Sequence, residues 1–190
     1  FVDLNGSPKT QMVPASEFDK AAEDGVPVDA ASLPGFQHDG HSRVIMARID
    51  LDSYTLVPWT KGVARFASDL YVDGHPHPIC SRQNLKRILP FLRREGYLFN
   101  VGIEPEHFLV TKKSNGSIAE WDPNQTDQLL NPCYDFKATA SAIGYLRDMM
   151  DALDRLGWDP YQCDHEDANG QYEINFAYSA ALTTADRYTF

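Results

Sequence analysis

The sequence predicts an α+β fold in two units, a small domain over residues 1–78 and a second over residues 79–190. Three observations carry this reading. Asn5-Gly6-Ser7-Pro8 separates two short apolar-rich runs, the pattern of a hairpin. Strand-like runs over residues 44–50 and 63–71 follow a long polar stretch, and Asp73-Gly74-His75-Pro76-His77-Pro78 closes the group and marks the boundary. Beyond it, apolar residues recur at helical spacing over residues 81–95 and 139–156.

In chain order, residues 1–4 and 9–13 read as short strands flanking the hairpin turn. Ala15 to Glu23 reads as a helix with Ser16 as N-cap and Gly25 as its stop. Residues 26–43 contain Pro27, Pro34, Gly35 and Gly40 and read as a loop. The helix from Ser81 to about Glu95 aligns Leu85, Ile88, Leu89 and Leu92 on one face, carries Pro90 inside and ends at Gly96. Tyr97 to Val110 is strand-like but interrupted by Pro105, and residues 112–131 read as a surface loop. The helix over residues 139–156 buries Ile143, Leu146, Met150 and Leu153 and stops at Gly157. Two strands, residues 159–163 and 172–178, flank Asp167-Ala168-Asn169-Gly170, and residues 180–190 read as a helix. Residue 1 is Phe and that last helix has no stop signal, so both ends read as cut and the chain as part of a longer one.

Composition removes several functional classes. There are 17 basic residues against 27 acidic ones, a net charge of −10, with no Lys/Arg cluster to meet nucleic-acid phosphates. No run approaches the roughly 18 apolar residues of a membrane span. A hydrophobic content of 43% is too high for an acidic disordered tail. Cys80, Cys133 and Cys163 lack CxxC spacing and suit a reducing, cytoplasmic setting. The Asn-x-Ser/Thr triplets at Asn5, Asn115 and Asn124 lie in turn-forming sequence and read as turns rather than glycosylation sites.

The chemistry concentrates in two segments. In Glu104-Pro105-Glu106 the residues two apart face one side of a strand, and two such carboxylates call for a cation or a proton between them. Pro105 places the triplet at an edge or rim. In Asp164-His165-Glu166…Gly170-Gln171-Tyr172-Glu173 an Asn-Gly turn separates two acids that a hairpin can bring side by side. Four carboxylates make a hard, all-oxygen site suited to Mg²⁺ or Mn²⁺, and magnesium bridges to phosphates. Each segment has a plainer reading, a solvated strand end for the first and a charged loop with a structural histidine for the second.

These residues carry a resemblance. Phe1-Val2-Asp3-Leu4-Asn5-Gly6-Ser7-Pro8-Lys9, Gly102-Ile103-Glu104-Pro105-Glu106-His107-Phe108 and His165-Glu166…Gly170-Gln171-Tyr172-Glu173 resemble, in order, three motifs of the glutamine synthetase superfamily. Pro58-Trp59, Phe66-Ala67-Ser68-Asp69 and Cys133-Tyr134-Asp135 are similar to the branch of type III-like glutamine synthetases and γ-glutamylmethylamide synthetases. The resemblance implies a β-grasp domain followed by the first part of an antiparallel, half-barrel catalytic domain. It implies ATP-dependent ligation of ammonia or methylamine to the γ-carboxylate of L-glutamate through γ-glutamyl phosphate, in a homo-oligomeric ring with sites between subunits. By the same resemblance Glu106, Glu166 and Glu173 match ligands of the metal near glutamate, and Glu104 a ligand of the metal nearer ATP. Asp29 matches the residue that holds and deprotonates the amine. Ser32 and Phe36 belong to the same loop, and Tyr134 lines the amine pocket.

The sequence departs from the family pattern in two places. Ala30-Ala31 replaces a loop richer in Gly and Ser, and Tyr161 stands where an acidic nucleotide contact is common. The family's catalytic domain also continues past the equivalent of Phe190, so the 190 residues alone are expected to be inactive. The competing expectation is a non-catalytic structural or regulatory relative.

Overall fold

The computed structural model describes residues 1–35 and 44–190. Phe36, expected in the amine-binding loop, lies outside the described residues. In chain order the elements are α1 (Phe18–Asp24), β1 (Val26–Val28), β2 (Ile45–Ile49), β3 (Thr55–Leu56), β4 (Ala64–Arg65), β5 (Ser68–Val72), β6 (His75–Pro76), α2 (Ser81–Arg94), β7 (Asn100–Val101), β8 (Glu106–Phe108), β9 (Val110–Lys112), β10 (Ile118–Glu120), α3 (Phe136–Ser141), α4 (Ile143–Arg155), β11 (Pro160–His165), β12 (Gln171–Phe176), β13 (Ser179–Ala180) and α5 (Ala181–Tyr188). This is a mixed fold built on antiparallel sheets. No helix among the described residues is long and apolar enough to cross a membrane.

The chain divides into two compact units. The first holds residues 1–57, 62–101 and 179–190, the second residues 58–61 and 102–178.

In the first unit the sheet runs β1-β2-β5-β6, antiparallel throughout. Val28, Ile45, Ala47 and Leu70 meet in its core with Ala30, Leu33 and Cys80. Strand β1 corrects the expected loop over residues 26–43. Pro27 hid it, yet β1 is an edge strand, where a missing N–H breaks no ladder. Residues 1–13 contribute a single bridge, Val2 to Pro8, in place of two strands. A 3-10 turn over Ala15–Glu17 leads into α1, and Ser16 lies inside that turn instead of capping the helix. Gly25 ends α1 at φ +85°, where an added Cβ would meet the Ala47 carbonyl oxygen at 3.0 Å. The run over residues 63–71 is broken into β4 and β5. Helix α2 continues through Pro90, and it has no buried residue, with Ile88 half exposed.

In the second unit the order is β11-β12-β8, again antiparallel, with a separate hairpin of β9 and β10. That hairpin replaces part of the surface loop expected over residues 112–131. One face of β12 presents Tyr172, Ile174 and Phe176 to a core completed by Ala142, Leu146, Leu153 and Trp158. The expected long helix is two helices with a break at Ala142, and α3 starts early because Asp135 caps it, its carboxylate accepting the Ala138 N–H at 2.9 Å. The break carries Ile143 out to 60% exposure, while Ala142 takes the buried place.

Candidate metal centre

Strand alternation builds the site. Tyr172 and Ile174 point into the core, so Glu173 and Asn175 point to the other face of β12. In register, Glu173 faces Glu106 of β8 on one side and Asp164 of β11 on the other. Residues directly opposite on an antiparallel ladder put their side chains on the same face. His165, the last residue of β11, takes the core side and is fully buried, so Glu166 emerges on the face of Glu106 and Glu173.

Glu106, Glu166 and Glu173 thereby converge, each offering a carboxylate oxygen within 4.8 Å of the others. Glu106 is exposed and the other two are half-buried. Burial, a hydrogen bond with the Glu173 carboxyl and the charges of Glu173 and Glu106 together push the Glu166 carboxyl above its ordinary value. Neighbours fix the other two acids: Gln171 Nε2 donates to Glu106 Oε2 at 2.5 Å, and Asn175 Nδ2 donates to Glu173 Oε1 at 2.6 Å. Each is two residues from Glu173, on the same strand face.

Glu104 stands outside this group of three. It lines a cleft of about 590 Å³ with Gly102, Ile103, Tyr161, Ala177 and Tyr178. Tyr134 is exposed at φ +63°, and its backbone N–H donates to the His165 carbonyl at 2.9 Å, which sets it beside the strand end carrying Glu166. Its phenol is pushed up by the Cys133 thiol and by the acids Asp164 and Glu166.

Asp29 and Ser32 belong to the first unit. Asp29 follows β1 and closes a 3-10 turn, its Oδ1 accepting the Ala31 N–H at 2.9 Å and its Oδ2 the Ser32 hydroxyl at 3.3 Å.

A further acid escaped the sequence reading. Asp127 is 4% exposed, and its Oδ2 lies 2.7 Å from His165 Nε2 and accepts the Gly170 N–H. Its separation from both partners, 38 and 43 residues, leaves no local pattern that would single it out. Gln171 and Asn175, by contrast, were legible from alternation once Glu173 was placed on the site face.

Residues 78–190 match the family model described as "Glutamine synthetase, catalytic domain", and the chain belongs to the glutamine synthetase family. It is 40% identical over 196 aligned residues to the glutamate–methylamine ligase of Methyloversatilis universalis, covering all of this chain and 42% of that protein. It is 35% identical over 195 residues to a glutamine synthetase of Rhizobium leguminosarum bv. phaseoli, with the same coverage of 100% and 42%. A solved GmaS/ADP complex superposes on the whole chain with a TM-score of 0.91 at 34% identity, over 43% of its own length. The chain therefore spans well under half the length of these relatives.

Proposed function

We propose that this chain supplies the divalent-metal part of an ATP-dependent glutamate–amine ligase. The observation that carries the reading is the convergence of Glu106, Glu166 and Glu173 within 4.8 Å. Three carboxylates with no nitrogen or sulfur donor among them suit Mg²⁺ or Mn²⁺ rather than zinc. Burial and the neighbouring acids Glu173 and Glu106 push Glu166 upward, and a cation among the three would offset that repulsion. The donor set fits the metal that the family implies.

On this reading Glu106, Glu166 and Glu173 hold the ion near glutamate, and Glu104, in the neighbouring cleft, faces the metal on the ATP side. A bound divalent cation supplies neutralisation of charge on the phosphoryl oxygens. The chain's own groups do the positioning. Gln171 and Asn175 hold two of the three carboxylates. Tyr134 borders the amine, and Tyr161 takes the nucleotide side without adding an acid. Asp29, with Ser32 on its loop, serves the site of a neighbouring subunit in a homo-oligomeric ring, where its carboxylate binds the amine and accepts a proton as the amine attacks γ-glutamyl phosphate. Residues 1–78 form the β-grasp domain and 79–190 the start of the catalytic half-barrel; the family match beginning at residue 78 supports this division, whereas the compact units group residues 79–101 and 179–190 with the first. Activity requires groups found in the remaining length of the relatives, so the 190 residues alone do not turn over. The setting is cytoplasmic.

The amine is methylamine or ammonia, and the higher identity to the methylamine ligase, 40% against 35%, supports methylamine. One methyl group discriminates by about 1–3 kcal/mol. The test supplies the intact protein with glutamate, ATP, Mg²⁺ and each amine in turn. The expected result is one ADP per γ-glutamyl amide, with methylamine preferred roughly 10- to 200-fold. Equal activity with dilute ammonia would count against methylamine, and no amide with either would sink the ligase reading.

A further inference from the structure

The turn between Glu166 and Glu173 is held by a buried acid that belongs to neither strand. Asp127 Oδ2 accepts the backbone N–H of Gly170 and lies 2.7 Å from His165 Nε2. The other ring nitrogen, Nδ1, lies 2.8 Å from the carbonyl oxygen of Glu166, and a carbonyl accepts only, so Nδ1 donates in that bond. The Glu166 N–H in turn donates to the Gln171 carbonyl at 2.9 Å. Glu166 is thus gripped at its carbonyl by a histidine whose far side rests on Asp127, and Asp127 also grips Gly170, the residue just before β12.

The anchor is itself anchored. The backbone N–H of Asp127 donates to Asp122 Oδ2 at 2.9 Å and that of Thr126 to Asp122 Oδ1 at 3.0 Å. His165 is fully buried, and Asp127 Oδ1 is buried with no hydrogen-bond partner among the described residues. Gly170 stands at φ +75°, where an added Cβ would meet the Leu109 carbonyl oxygen at 3.2 Å, so the position favours glycine. What the Asp127 Oδ2 joins are the two ends of one turn. The site carboxylates follow directly: Glu166 is adjacent to His165, and Glu173 lies three residues past Gly170.

We infer that Asp127 is a positioning residue for the metal centre: through His165 and Gly170 it sets the spacing of Glu166 and Glu173, and so the affinity for the divalent ion. The inference rests on the metal reading above and adds a residue that touches neither ion nor substrate. Groups that orient metal ligands from behind typically change affinity by about 10- to 100-fold when removed.

The test uses Mn²⁺ alone as the probe. Binding to the intact protein is followed by the electron paramagnetic resonance of free Mn²⁺, for wild type, Glu166→Gln, Asp127→Asn and Asp127→Ala, beside thermal melts and turnover against Mn²⁺ concentration. Wild type binds and Glu166→Gln binds far less. Asp127→Ala binds about 10- to 100-fold more weakly, and Asp127→Asn, which can still accept from Gly170, lies between it and wild type. The Mn²⁺ concentration for half-maximal turnover rises by the same factor, while the rate at saturating Mn²⁺ stays within about threefold; a purely structural role would not produce that split. If Asp127→Ala does not fold, the folded Asp127→Asn decides. Wild-type affinity in the folded Asp variants overturns this inference and leaves the metal reading standing. Absence of Mn²⁺ binding by wild type overturns both.

Discussion

Glu166 carries a proton more readily than an isolated glutamate because burial and the acids Glu173 and Glu106 oppose its charge. A carboxyl pKa raised in the folded state favours the fold at low pH. That contribution is fully present below the ordinary value of 4.5 and is lost as pH rises through the raised one. The metal-free protein should therefore lose stability across that window, and Glu166→Gln should flatten the slope. Thermal melts in chelator from pH 4 to pH 7 check this, and equal slopes for the two proteins would contradict it. Saturating Mn²⁺ at neutral pH should remove the penalty, adding about 2.7 kcal/mol at one hundred times its dissociation constant. At this scale the meeting of Glu166 and Glu173 was legible from the Asn-Gly turn between them, whereas Glu106 joined them only through the family resemblance, and the spacing that paired it with Glu104 did not bring those two together. Asp127 was not legible: its role depends on a contact made across 38 residues of chain.

Arg82 shows the same limit for elements. From the first turn of α2 its guanidinium reaches Asp50 at 2.8 Å, Asp69 of β5 at 2.9 Å and Asp186 of α5 at 2.8 Å, and Lys86 adds a contact to Asp69 at 2.7 Å. Arg82, Asp50, Asp69 and Asp186 are largely buried, so deleting the arginine strands carboxylates that have lost their main partner. Arg82→Met should destabilise the protein by about 3–5 kcal/mol in chemical denaturation; a loss below 1 kcal/mol would show a network of little energetic weight. Burial raises the Asp50 carboxyl, but Arg82 and Lys86 outweigh it and hold the group below its ordinary 3.8. That stability is present above pH 3.8 and is lost as pH falls through the lower folded value, so the network loosens in acid. In the second unit Leu146 is fully buried, and Leu146→Ala should cost about 2–5 kcal/mol. The amphipathic helices were legible from their periodicity. Strand β1 was obscured by Pro27 and β10 by its polar surroundings, because a short edge strand or an exposed hairpin buries too little to impose alternation. The break at Ala142 was missed because the apolar spacing runs on across it.

For the molecule as a whole, the antiparallel sheets and the carboxylate centre describe a chain that covers 42% of the length of the glutamate–methylamine ligase it resembles. The net charge of −10 is in part functional on this account, since three of the acids meet where a cation is wanted. The proposed reaction activates glutamate by phosphorylation of its γ-carboxylate. Transfer of an oxygen label tests it most directly: the intact protein is given glutamate labelled with ¹⁸O in the γ-carboxylate, ATP, Mg²⁺ and methylamine or ammonia, and the inorganic phosphate released is weighed by mass spectrometry. Attack of the carboxylate on ATP makes a labelled oxygen the bridge of the acyl phosphate, and attack of the amine on carbon leaves that oxygen on phosphate. One ¹⁸O is expected in each phosphate formed with amide. Amide formation with unlabelled phosphate would contradict that activation.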